Sequence, residues 1–73
     1  MLEILMVPVA SSNLAAVGYD PETLTLQIAF HDGSVYIYYD VSPAVYAGLL
    51  LAKSKGRYFR ALIRDSYDYE RVS

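Results

Sequence analysis

Tyr36 and Tyr38 stand two residues apart in the run Val35-Tyr36-Ile37-Tyr38, and Arg57, Arg60 and Arg64 recur at spacings of three and four. Side chains two apart on a strand share one face of a sheet, and aromatic rings on a sheet can stack on nucleobases, each stack contributing about 1–3 kcal/mol. Arginines at i, i+3 and i+7 share one helix face and can meet phosphates. Ser54-Lys55-Gly56 leads into that helix, where free backbone N–H groups and the positive helix end favour an anion. Gly56 allows the backbone to approach a phosphate closely. The same residues also have ordinary structural uses. Paired tyrosines are often covered by a neighbouring segment, and spaced arginines often form a solvated face.

Catalytic constellations are not legible. His31, the single histidine, has no cysteine or orienting acid near it, and reads as an exposed turn residue. Ser11 and Ser12 lack a base at any recognisable spacing. Asp65, Asp68 and Glu70 do not follow a metal-loop pattern. The expectation is a non-enzyme with no cofactor and no metal.

The net charge of −2 conceals a segregation. All six basic residues lie from Lys53 onward, whereas Glu3, Asp20, Glu22, Asp32 and Asp40 occupy the earlier part. An acidic total argues against strong nonspecific binding to a polyanion, which needs a broadly basic surface. With 73 residues the chain reads as one domain, residues 1–73, near the small end of what folds without staples. Its apolar share of 55% exceeds the ~45–50% of ordinary soluble domains, which makes a subunit interface plausible. There are no cysteines, which fits a reducing compartment. The opening Met1-Leu2-Glu3-Ile4-Leu5-Met6-Val7-Pro8-Val9 lacks a basic leader, and Leu49-Leu50-Leu51-Ala52 is too short to span a bilayer. A soluble, cytoplasmic protein without a membrane association is expected.

The elements that must position these residues follow from turn signals. Asp32-Gly33 predicts a two-residue type I′ hairpin turn joining strands over Leu24–Phe30 and Val35–Val41. His31 then pairs with Ser34, Phe30 faces Val35, Ile28 faces Ile37, Leu26 faces Tyr39 and Leu24 faces Val41. In that register the apolar pairs share one face and Tyr36 and Tyr38 project from the other, polar and open, face. Ser12 to Tyr19 reads as a further strand, Asp20-Pro21-Glu22-Thr23 as a turn, and Ile4 to Val9 as an edge strand limited by Pro8. Ser42-Pro43 predicts a helix start, with Ser42 as N-cap and Pro43 in the first turn. This helix runs to about Ala52 with Val45, Leu49 and Ala52 inward; Gly48 within it marks close approach to another element. A second helix is predicted from about Arg57 to Arg64, burying Phe59, Leu62 and Ile63. The tail alternates Tyr67 and Tyr69 against Asp68 and Glu70, as a short strand or an extended cover. The fold class is α+β: a three-stranded, or four-stranded, antiparallel meander followed by two short helices packed on one face.

The motifs in order are Ser11-Ser12-Asn13, Gly18-Tyr19-Asp20, Gly33-Ser34-Val35-Tyr36-Ile37-Tyr38, Val45-Tyr46, Gly48-Leu49, Ala52-Lys53-Ser54-Lys55-Gly56-Arg57-Tyr58-Phe59 and Ile63-Arg64. In this order and spacing the chain resembles the KTSC domain, a short domain at the C-terminus of some lysyl-tRNA synthetases and a stand-alone protein of bacteria and phages. The resemblance spans Ser11 to Tyr67. Its synthetase context implies an RNA-binding role, with Tyr58 of the last long motif added to the candidate contacts. Arg60 departs from the asparagine the family favours after Tyr-Phe, and adds charge beside the anion site.

Three functions remain open from sequence. The first is a small non-catalytic module that binds RNA, with Tyr36 and Tyr38 stacking bases and Lys55, Arg57, Arg60 and Arg64 meeting phosphates. The second is a homo-oligomeric interaction protein that associates through the tyrosine face. The third is a binder of a small phosphorylated ligand, such as a nucleotide, at Ser54-Lys55-Gly56.

Overall fold

Seven short elements form in the order strand, strand, strand, strand, helix, helix, strand in a computed structural model that describes residues 4–73. The strands are β1 (Val7–Pro8), β2 (Leu14–Asp20), β3 (Thr25–Phe30), β4 (Val35–Tyr38) and β5 (Tyr69–Arg71); the helices are α1 (Pro43–Leu51) and α2 (Lys55–Leu62). All neighbours pair antiparallel in the spatial order β1-β2-β3-β4-β5. The class is therefore α+β, a four-stranded meander followed by two helices, and the tail returns as a fifth strand beside β4.

The β3–β4 register differs by one residue from the expected one. Leu26 faces Tyr38, Ile28 faces Tyr36 and Ala29 faces Val35. The turn is the reason. Phe30 donates its N–H to the Ser34 carbonyl (2.9 Å) and Gly33 donates to the Phe30 carbonyl (3.0 Å), closing a three-residue loop, His31-Asp32-Gly33. A type I′ turn needs positive φ at both central residues, but Gly33 (φ 92°) has it and Asp32 does not. The loop is a type I turn closed by a glycine bulge. The Asp32 carboxylate supports it by accepting from the Ser34 N–H (2.9 Å) and hydroxyl (2.6 Å).

A one-residue slip moves every side chain of a strand to the opposite face. Tyr36 and Tyr38 therefore lie on the Leu26 and Ile28 side, which is the core side, and not on an open polar face. Both predicted strands also shorten, because Leu24 (φ 55°) and Asp40 (φ 59°) take left-handed backbone conformations that end the ladder. In β2 an irregularity between Leu14 and Ala16 puts Leu14 and Val17 on one face despite their odd spacing.

Both helices cover that face. Ser42 caps α1 by accepting from the Val45 N–H, with Pro43 in the first turn, and Ser54 caps α2 by accepting from the Arg57 N–H. Leu49 from α1, with Phe59 and Ile63 from α2 and its end, joins Leu14, Val17, Leu26, Ile28, Tyr38 and Val41 in one buried cluster. The expected inward residue Leu62 is 49% exposed instead, because Phe59 and Ile63 already occupy the inward direction of so short a helix. Gly48 does mark a close approach: a Cβ there would meet the Tyr58 ring, whose hydroxyl donates to the Val45 carbonyl (3.0 Å). Tyr46 stacks on Tyr19 (4.9 Å between centroids), and the Tyr19 hydroxyl donates to the Val41 carbonyl. On the opposite face, Ile4–Met6 lies so close over Gly18 that a Cβ there would come within 2.6 Å of the Leu5 carbonyl oxygen.

Candidate functional site

A cleft of about 600 Å³ opens between the β3–β4 hairpin, β5 and the outer side of α2. Its apolar wall is Phe30, Tyr36, Tyr38, Phe59 and Tyr69, and its polar lining includes Asn13, His31, Asp32, Ser34, Arg60 and Arg64. The hairpin register positions the tyrosines. Because Tyr38 pairs with Leu26 and Tyr36 with Ile28, both rings lean toward α2, where Phe59 meets Tyr38 edge-on at 5.5 Å and Phe30 edge-on at 5.4 Å. Tyr36 packs edge-on against Phe30 (5.7 Å) and lies alongside Tyr38 (6.4 Å). Edge-to-face contacts at these distances are favourable beyond the area they bury.

The expected pair is thus unequal. Tyr38 is 3% exposed and forms the floor, whereas Tyr36 is half-buried and lies nearer the hairpin end. Burial, reinforced by Tyr36 and Tyr69, pushes the Tyr38 hydroxyl up to about 12. Phe59 of the chain's own α2 packs edge-on against Tyr38, so the open polar tyrosine face expected from sequence is not formed.

Folding brings Tyr36 and Tyr38 together with Arg60 and Arg64, which sequence spacing left separate. Both arginines line the cleft; α2 carries Arg60, and Arg64 follows the helix end, where its Nε lies 3.6 Å from an Asp65 carboxylate oxygen in an exposed ion pair of little energetic weight. The other predicted contacts sit elsewhere or serve the helix junction. Ser54 spends its hydroxyl on the Arg57 N–H and its carbonyl on the Tyr58 N–H, so two first-turn donors already have partners. Lys55 Nζ donates to the Ala52 carbonyl (3.0 Å). Gly56 is buried against Asn13, where a Cβ would come within 3.1 Å of Asn13 Nδ2, so glycine here seats the helix start on the β1–β2 connection. Tyr58 packs over Gly48, and Arg57 is exposed outside the cleft lining.

Sequence reasoning missed Phe30, Phe59, Asn13 and Tyr69 as cleft residues. Phe30 and Phe59 read as core by spacing and do lie on that side, and the hairpin register brings Tyr36 and Tyr38 to join them there. Tyr69 had a signal, its alternation with Asp68 and Glu70, but its partner strand was not legible. His31 is exposed, and its Nε2 donates to the Ser11 carbonyl (2.9 Å), which ties the hairpin to the segment before β2. Hydrogen bonds from Ser34 hold the Asp32 carboxyl below its ordinary range. Among the described residues no group of three histidine, cysteine or carboxylate side chains is placed to hold a metal ion, and no helix is long and apolar enough to cross a membrane.

The family model of the KTSC domain matches residues 10–67. A small protein of Tsukamurella paurometabola is 40% identical over 62 residues, covering 85% of this chain and 92% of the relative. A lysine–tRNA ligase of a Nostoc species is also 40% identical over 62 residues, but there the match covers 85% of this chain and 11% of the ligase. The crystal structure of a KTSC domain protein from Yersinia pestis superposes with a TM-score of 0.91 at 30% identity, covering 97% of this chain and 100% of that one.

Proposed function

The chain belongs to the KTSC domain family, and on that premise we propose that it is a small non-catalytic module that binds single-stranded RNA, seating a nucleotide in the aromatic cleft. The observation that carries this reading is the meeting of an aromatic wall, floored by the buried Tyr38 and Phe59, with Arg60 and Arg64 around one opening. Stacking surfaces beside cationic side chains are what single-strand recognition requires. A volume of about 600 Å³ falls within the ~300–1,000 Å³ of small-ligand sites, which accommodates a single nucleotide and not a duplex. A lysine–tRNA ligase carries a segment 40% identical to this chain, which adds an RNA context. The net charge of −2 favours a few local phosphate contacts over wrapping of a long polyanion.

A free nucleotide is the second reading, favoured by the same cleft volume and acidic balance. Binding of labelled single-stranded RNA across a salt series, with mononucleotides as competitors, tests both. Micromolar binding that weakens with salt is expected. Arg60→Ala combined with Arg64→Ala should flatten the log–log salt slope by about 1.4, from roughly 0.7 for each phosphate no longer neutralised. An absence of RNA binding at low salt, or a double variant with unchanged affinity and slope, overturns the RNA reading; tight mononucleotide binding without RNA binding selects the second.

A further inference from the structure

Stacking requires a ring face that a base can reach, and the cleft tyrosines differ sharply in that respect. Tyr38 is 3% exposed, with Phe59 edge-on against it and Tyr36 alongside. Tyr36 is half-buried beneath Phe30. Tyr69 is 58% exposed, yet its ring is held 5.5 Å from Tyr38 and 5.9 Å from Tyr36 and lines the same cleft. Strand pairing holds it there. Tyr69 faces Tyr38 and Arg71 faces Tyr36 across the β4–β5 ladder, which places the Arg71 guanidinium carbon 6.0 Å from the Tyr36 ring centre. Arg71 lies beside the cleft lining and not within it, with its Nε donating to the Ser73 carbonyl (2.9 Å). That ladder continues through the Val72 N–H to the Val35 carbonyl (2.8 Å). Tyr69 and Arg71 both lie beyond residues 10–67 matched by the family model.

We propose that β5 supplies the working half of the site: Tyr69 is the ring on which the base stacks, Arg71 is a further phosphate contact, and Tyr38 is the buried floor that orients Tyr69. The inference rests on the nucleotide reading above. It predicts that affinity follows the Tyr69 ring and not exposed side chains away from the cleft. Replacing an exposed edge-strand side chain leaves the core intact, so a loss of affinity at Tyr69 does not require loss of fold.

The test uses the full chain and labelled single-stranded oligouridylate and oligoadenylate. Tyr69→Ala should weaken binding roughly 5- to 150-fold, the equivalent of losing one base–aromatic stack, with an unchanged far-ultraviolet circular dichroism spectrum and a melt that stays cooperative, lowered only by the lost ring contacts to Tyr36 and Tyr38. Arg71→Ala should flatten the salt slope by about 0.7. Leu51→Ala, at an exposed α1 position away from the cleft, should bind as the parent does. The sequence has no tryptophan, so Tyr69→Trp installs a single reporter, which should keep affinity and lose emission as the base stacks. If the parent binds and Tyr69→Ala binds equally well, or the Tyr69→Trp emission is unmoved at saturation, the assignment to β5 is overturned while the RNA reading stands. If the parent does not bind either oligonucleotide, both fall.

Discussion

Tyr38 and Tyr69 face each other across two paired strands and have opposite environments. Burying a phenol penalises its ionised form, which is why the Tyr38 hydroxyl is pushed up to about 12. In the unfolded chain the same group ionises near pH ~10. Its contribution to stability is therefore fully present below about pH 10 and is lost as pH rises toward about 12. Urea midpoints across this alkaline range should fall for the parent and fall less for Tyr38→Phe. Tyr19, Tyr39 and Tyr46, all raised chiefly by burial, contribute to the part that remains. A tyrosine type at position 38 was plain from sequence. Its exposure was not, because a tyrosine suits both a wet sheet face and a core edge.

At the scale of elements, the hairpin decided the outcome. Asp-Gly fits both a two-residue and a three-residue loop, and Val35-Tyr36-Ile37-Tyr38 offers apolar side chains on both of its faces. Alternation fixes register only where one face is polar, so this strand alone could not choose. The loop chose: Gly33 adopts φ 92° with no atom within 4 Å of where its Cβ would be. Gly33→Ala should accordingly cost about 1–2 kcal/mol from backbone strain alone, measured by chemical denaturation, with no steric component. The helices were better marked. Ser42-Pro43 announces the α1 N-terminus through capping chemistry that acts within four residues, whereas α2 starts at Lys55, two residues before the expected Arg57, because Ser54 caps it. Inward faces were less so. Over the eight residues of α2 a small rotation exchanges Leu62 for Ile63.

For the whole molecule, the described residues, 4–73, fold around a cluster of nine buried apolar side chains. A domain of this length has a total stability of roughly 4–11 kcal/mol. Leu49 is the one α1 residue fully buried in that cluster. Leu49→Ala should cost about 2–5 kcal/mol, a large part of the total, and equilibrium urea unfolding would show it as a lowered midpoint. The succession of strands and then two helices along the chain, the α+β class, the Ser42 cap and the segregation of basic residues into the α2 region were determined by sequence alone, because each depends on local propensity or composition. Which face the tyrosines occupy, the pairing of Tyr69 with Tyr38, and the convergence of Phe30, Phe59, Arg60 and Arg64 on one cleft were decided by tertiary structure. These depend on a one-residue register and on a strand contributed from 31 to 35 residues further along the chain. Contacts of that range reward the chain only after the ends meet, so no local pattern encodes them.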